Sequence, residues 1–139
     1  NGFQESYGSD DLNELEFFTY RVRAESAGGV SAWSNEVELH KPLSAPSQLK
    51  VNSYSTSGST DKLIGLVWAN YSSRYTHTVI ERKTGPSGEW SVLTTVLKGI
   101  DGYYDTTAIP GTVYYYRVKA RHDAGFDSKY SNETSGKCY

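Results

Sequence analysis

Cysteine is nearly missing from this 139-residue chain. Cys138 stands alone, so neither an internal disulfide nor a thiolate zinc cluster can form. Its place beside the last residue suggests an exposed thiol, a bridge to a residue outside this stretch, or an intermolecular contact. Long apolar runs are also missing, which excludes a transmembrane helix. Charge of one sign is scarce: 14 Lys and Arg against 16 Asp and Glu leave a net −2. That balance offers no bulk release of phosphate counterions, so nucleic acid is not an expected partner. Neither a start methionine nor a signal peptide opens the chain, and any targeting segment is expected to lie outside it or to have been removed.

Aromatic residues are what the chain has in quantity. Twelve Tyr, four Phe and three Trp can build a core. A mean hydropathy of −0.59, with frequent Ser, Thr and Gly, favours short strands and solvated loops over helices. The clearest strand is Thr112–Ala120. Tyr114, Tyr116, Val118 and Ala120 fall on one face of an extended chain, and Val113, Tyr115, Arg117 and Lys119 on the other. Ala108-Ile109-Pro110-Gly111 ahead of it is turn chemistry.

The same wording occurs twice. Phe18-Thr19-Tyr20-Arg21-Val22-Arg23-Ala24 reads like Tyr114–Ala120, and Trp33-Ser34-Asn35-Glu36 like Tyr130-Ser131-Asn132-Glu133 with one residue inserted. Tyr7 matches Tyr103, and Leu12 matches Ala108. A step of this size is one β-sandwich of about 100 residues. Residues 1–40 are therefore expected to be the terminal strands of a partial sandwich, either poorly ordered or completed by strands from elsewhere. Residues 41–46, with two prolines, are expected to be a stiff linker, and residues 47–139 a complete domain. Its strands are expected at Ser47–Ser53 (A), Lys62–Trp68 (B), Thr76–Lys83 (C), Glu89–Val96 (C′), Gly102–Asp105 (E), Thr112–His122 (F) and Ser128–Gly136 (G).

Pro46-x-x-Leu49-x-Val51, Ile64-x-Leu66-x-Trp68, Ile80-x-Arg82, Tyr103-x-Asp105, Pro110-Gly111-Thr112-x-Tyr114-x-Tyr116-Arg117-Val118-x-Ala120 and Tyr130-Ser131-Asn132 together resemble a fibronectin type III domain. The resemblance covers Ser44–Gly136, with the tail of a preceding copy in Tyr7–Leu39. It implies an all-β, immunoglobulin-like seven-stranded sandwich preceded by a partial copy. It also implies a core around Trp68, Tyr114, Tyr116 and Val118, with the Tyr114 hydroxyl bonding back to nearby backbone at the E–F corner. The Pro-Gly-Thr-x-Tyr-x-Tyr-Arg-Val wording is similar to bacterial and phage versions. Ala108 stands where the family usually has Leu, and Thr78 where it usually has Tyr, so a thinner core is expected there. Val30-Ser31-Ala32-Trp33-Ser34 resembles the Trp-Ser-x-Trp-Ser box of cytokine receptors without its first Trp. Arg21 and Arg23 are placed to stack on Trp33, and ordinary strand G packing is the simpler account.

Chemistry is poorly provided for. His40, His77 and His122 lack companions at metal-binding spacing. Asp10, Asp11, Glu14 and Glu16, and the pair Asp101 and Asp105, read as solvated faces rather than catalytic or calcium-binding carboxylates. No nucleophile elbow, phosphate loop or dinucleotide fingerprint occurs. No enzyme activity and no cofactor are expected. A recognition surface is expected where the B–C and F–G loops meet, from Asn70, Tyr71, Arg74, Tyr75 and Phe126 beside Asp123 and Asp127. Asn70 and Asn132 fit the N-glycosylation pattern. The expected function is an extracellular spacer or presentation and adhesion module of a larger protein. The alternatives are a virion module with weak glycan binding and a receptor fragment that binds a protein. Expected partners are neighbouring domains and a cell-surface glycan or protein.

Overall fold

The computed structural model describes residues 17–56 and 58–139, with only the backbone of Phe17, Leu39 and His40. The chain divides into two compact units, Asn1–Pro42 and Leu43–Tyr139. All regular structure among the described residues is strand. The acidic cluster Asp10–Glu16, Tyr7 and Leu12 lie outside the described residues.

In the first unit β1 (Phe17–Tyr20) pairs antiparallel with β4 (Val37–His40), Tyr20 opposite Val37. Between them β2 (Glu25–Ser26) and β3 (Gly29–Val30) form a tight hairpin. Two serines carry the ladder where it would otherwise break. The Val22 and Ala24 N–H groups donate to Ser34 Oγ (3.0 Å) and Ser31 Oγ (2.8 Å), and the Ser34 and Ser31 N–H groups donate back to the Val22 and Ala24 carbonyls. All side chains from Phe18 to Glu38 are exposed.

The second unit has two facing sheets. β5 (Ser47–Tyr54), β6 (Ile64–Ala69) and β9 (Gly102–Asp105) make one, in the order β5-β6-β9. β7 (His77–Thr84) pairs with β8 (Ser91–Leu97) on one side and β10 (Val113–His122) on the other. β11 (Phe126–Asp127) and β12 (Thr134–Lys137) both pair with β10. The alternation expected of β10 holds: Tyr114, Tyr116, Val118 and Ala120 are buried, and the first three pack with Leu49, Ile64, Leu66, Trp68 and Ile80 from both sheets. Gly136 lets the sheets close. A Cβ there would stand 2.9 Å from Val51 Cγ2 and 3.0 Å from Ile64 Cγ2, too close for any side chain.

Three expectations need correction. Strand G is not continuous from Ser128 to Gly136. Between β11 and β12, Ser128 Oγ accepts the Ala120 N–H (2.9 Å) and Ser131 Oγ the Val118 N–H (3.0 Å), side chains replacing backbone. The linker does not extend to residue 46, because Leu43 and Pro46 are buried within the second unit. Cys138 is neither exposed nor available for bridging. It is fully buried in the core with its Sγ 3.7 Å from the Ala108 carbonyl, bulk beside the position where Ala replaces the family's Leu.

Candidate functional site

Strand β10 organises chemistry on both of its faces. On the inner face the Tyr116 hydroxyl donates to Asp105 Oδ2 (2.8 Å), at the end of β9. Arg82 Nη1, from β7, reaches the same oxygen at 2.7 Å and Thr107 Oγ1 at 2.8 Å, while the Thr107 N–H and hydroxyl both donate to Asp105 Oδ1. Asp105 is therefore a fully buried hub joining the two sheets, not a solvated carboxylate. Burial by itself would push its carboxyl up. The hydrogen bonds from Thr107, Arg82 and Tyr116 outweigh burial and hold it below the ordinary carboxylate value. Burial, then the bond to Asp105, push the Tyr116 phenol up, so it stays a donor. Beside the hub, Arg82 covers the Tyr114 ring at 4.4 Å, and the Ile109 N–H donates to the Tyr114 hydroxyl (3.3 Å), the corner bond expected.

On the outer face a ladder of cations and rings runs across the sheet. Lys83 lies over Trp90 (4.8 Å) and Tyr115 (5.2 Å), Arg117 over Trp90 (4.3 Å) and Tyr130 (3.7 Å), and Lys119 over Tyr130 (4.9 Å). Buried Glu81 accepts from Arg117 Nε (2.7 Å) and from the Tyr130 hydroxyl (3.0 Å). Asp127 ends the ladder between Lys119 (3.1 Å) and Arg121 (2.7 Å). The Arg121 bond, against an upward push from burial, holds its carboxyl below the usual range. The first unit has the same motif in miniature, with Arg21 and Arg23 over Trp33 at 4.2 and 4.6 Å. Trp90 was not singled out from sequence, and Tyr115 and Tyr130 were placed only as strand and motif residues, without cation partners. Shifting the expected Arg21–Arg23–Trp33 stack by one repeat would have found the Arg117–Lys119–Tyr130 part.

The loop residues expected to recognise a ligand are placed differently from one another. Tyr71 is exposed, and its hydroxyl accepts from Gln48 Nε2 (2.8 Å); Gln48 itself stands at φ +56 beside a register shift in β5. Arg74 is exposed and Phe126 partly so. Tyr75 is buried, which corrects its placement at a loop tip. Its hydroxyl accepts the Gly99 N–H (3.0 Å), and Lys98 covers its ring at 5.3 Å. Asn70 turns inward, donating to the Ile100 carbonyl (3.3 Å) and accepting from buried Thr78 (3.2 Å). The loops meet where His77 Nδ1 lies 3.1 Å from Asp123 and the Thr76 N–H donates to the Arg121 carbonyl (2.8 Å). Trp68, Asn70, Tyr75, Gly99 and Asp101 line an open pocket of about 350 Å³. Asn132, the other glycosylation candidate, clamps β5: its amide accepts the Leu49 N–H (3.0 Å) and donates to the Leu49 carbonyl (2.8 Å). Among the described residues no three His, Cys, Asp or Glu side chains are grouped to hold a metal ion.

No protein-family model matches the chain, and no curated protein matches it. Solved structures do. An Fn3-like protein from Clostridium thermocellum is 24% identical with a TM-score of 0.53, over 68% of this chain and 92% of that one. Titin module A71 from human cardiac muscle is 19% identical with a TM-score of 0.54, over 68% and 89%. Titin domains A168–A170 are 18% identical with a TM-score of 0.57; the match takes in 91% of this chain and 42% of theirs. The chain has a fibronectin type III-like fold: an all-β, immunoglobulin-like sandwich.

Proposed function

We propose that this chain is part of a multidomain protein in which consecutive fibronectin type III-like modules space and present their neighbours, without a catalytic centre of their own. One observation carries this reading. The paired serine bonds and the cation–ring stack recur from Val22, Ala24 and Trp33 to Val118, Ala120 and Tyr130, at steps of one module. The match to titin domains A168–A170, which extends over 91% of this chain, supports the same reading. An extracellular or virion setting is supported by the Pro110–Val118 wording, similar to bacterial and phage modules. Force–extension measurement on the full chain tests the spacer role. Leu43–Tyr139 should open in one step that releases roughly 300 Å of polypeptide. Gradual extension without a discrete step, or turnover of any substrate, would overturn it.

A second reading, weak glycan binding, is favoured by the open pocket lined by Trp68, Asn70, Tyr75 and Asp101, and by Tyr71, which is exposed one residue after Asn70. A glycan array with the wild-type chain, Tyr71→Ala and Asp101→Ala tests it. Signal lost in both variants supports binding, and no signal from the wild-type chain removes this reading.

A further inference from the structure

The sheet built on β7 and β10 ends differently on its two sides. Beyond β10 the border is broken into β11 and β12, and the Ser128 and Ser131 hydroxyls take the N–H groups between them. On the other side β8 pairs with β7 alone among the described residues, which leaves the hydrogen-bonding groups of its outer edge to water or to another strand. Edge strands are ordinarily guarded by charge or proline. Ser91-Val92-Leu93-Thr94-Thr95-Val96-Leu97 has neither, and Val92 and Leu97 are 59% and 63% exposed. Its flanks carry opposite charges, with exposed Glu89 ahead of the strand and exposed Lys98 behind it.

We propose that the β8 edge docks the β8 edge of a second copy of this chain, paired antiparallel about a two-fold axis between Leu93 and Thr94. A bulge sets the register. Ile80 stands opposite Thr94 and Glu81 opposite Val92, so β7 skips Leu93. On the outer face Val92, Thr95 and Leu97 follow Glu81, Val79 and His77, and Trp90 lies on the same face under Arg117. On the inner face Ser91, Thr94 and Val96 follow Arg82, Ile80 and Thr78. Antiparallel neighbours must match outer residues with outer and inner with inner. In an unbulged strand a two-fold axis between two residues breaks that rule. Here the extra residue satisfies it: Val92 comes opposite Thr95 of the second copy, Trp90 opposite Leu97 and Ser91 opposite Val96. The same register sets Glu89 opposite Lys98 at both ends. The Glu89 carboxylate has no partner among the described residues, and Lys98 spends one of its three donors on the Ser73 carbonyl (2.7 Å). A shift of two residues in either direction keeps the faces and loses both ion pairs. The contact is isologous, so it closes with two copies.

Sedimentation and cysteine trapping on the 139-residue chain test this. Between about 10 µM and 1 mM the weight-average mass should climb from 15.5 kDa toward twice that value, as expected of a contact of one strand per copy. Val92→Lys, at an exposed site, should lower the association constant about 10-fold. Glu89→Lys should lower it about threefold, and Glu89→Lys with Lys98→Glu should restore it. Oxidation reads the register. Val92→Cys with Thr95→Cys should give a covalent dimer, because opposed Cα atoms lie about 5 Å apart. Val92→Cys alone should not, since its own counterpart is offset along the strand beyond disulfide reach. Fully buried Cys138 stays out of the reaction. A mass fixed at 15.5 kDa throughout would overturn the proposal. So would a dimer indifferent to Val92→Lys, or equal trapping of the single and double cysteine variants. The spacer reading fails on a different measurement, the force response of Leu43–Tyr139.

Discussion

Ser34 and Ser131 make the same pair of bonds, one to Val22 and the other to Val118, and both hydroxyls pass a bond to the next carbonyl at 2.8 Å. Yet Val22 is exposed and Val118 is not. The ribbon of β1 and β4 therefore keeps its local hydrogen bonds without any core among the described residues, and the sandwich of the second unit adds the core behind an equivalent ribbon. Backbone pattern and serine chemistry are local. Burial needs residues far from Val118 in sequence, such as Ile64 and Ile80, to return across the sheet. Local bonds give shape, and the long-range layer gives stability.

The largest expected effect would push the second unit toward the state of the first. Asp105→Ala leaves Arg82 and the Tyr116 hydroxyl facing each other without their shared acceptor. It should cost about 3–5 kcal/mol in denaturant unfolding of Leu43–Tyr139, as removal of one partner from a buried pair does. Next comes the serine comparison. Ser131→Ala strands the N–H of fully buried Val118 and should cost about 1–3 kcal/mol, whereas Ser34→Ala, at an exposed site, should leave the same transition within about 0.5 kcal/mol. Equal effects would break the comparison. Tyr130→Ala removes two cation–ring contacts and should cost about 1–2 kcal/mol. Trp33→Ala should not shift that transition at all.

The smallest effect is a pH trend. Asp105 and Asp127 have folded pKa values below their unfolded ones, so their contribution is fully present above the ordinary carboxylate pKa of about 4. It fades as pH falls through their lower folded values. Unfolding free energy measured from pH 6 downward should decline below about pH 4, and Asp105→Asn should flatten the decline.

Much of the second unit was legible in the sequence, because period-two alternation in β6 and β10 reports directly which side chains face inward. β9 was expected at Gly102–Asp105 and is found there. The repeat was legible too, since Trp33 and Tyr130 keep their serines at fixed offsets. What escaped depends on pairs distant in sequence. Asp105 reads as a solvated carboxylate until Arg82 and Tyr116 are known to converge on it. Tyr75 reads as a loop tip until Gly99 and Lys98 of a different loop close over it. Cys138 reads as a terminal thiol until β12 carries it under Ala108. The break in strand G was written in Ser128 and Ser131, but hydroxyls that stand in for backbone acceptors look like ordinary solvent-facing serines.

That break changes what the border of the sheet offers to other polypeptides. A rim whose donors and acceptors are already taken by hydroxyls and by the Asn132 amide gives an incoming extended segment no continuous template. Strand exchange between domains is a characteristic failure of multidomain and repeat proteins. The first unit carries serine at the same offset, Ser31 and Ser34, so the two strand edges are interrupted in the same way.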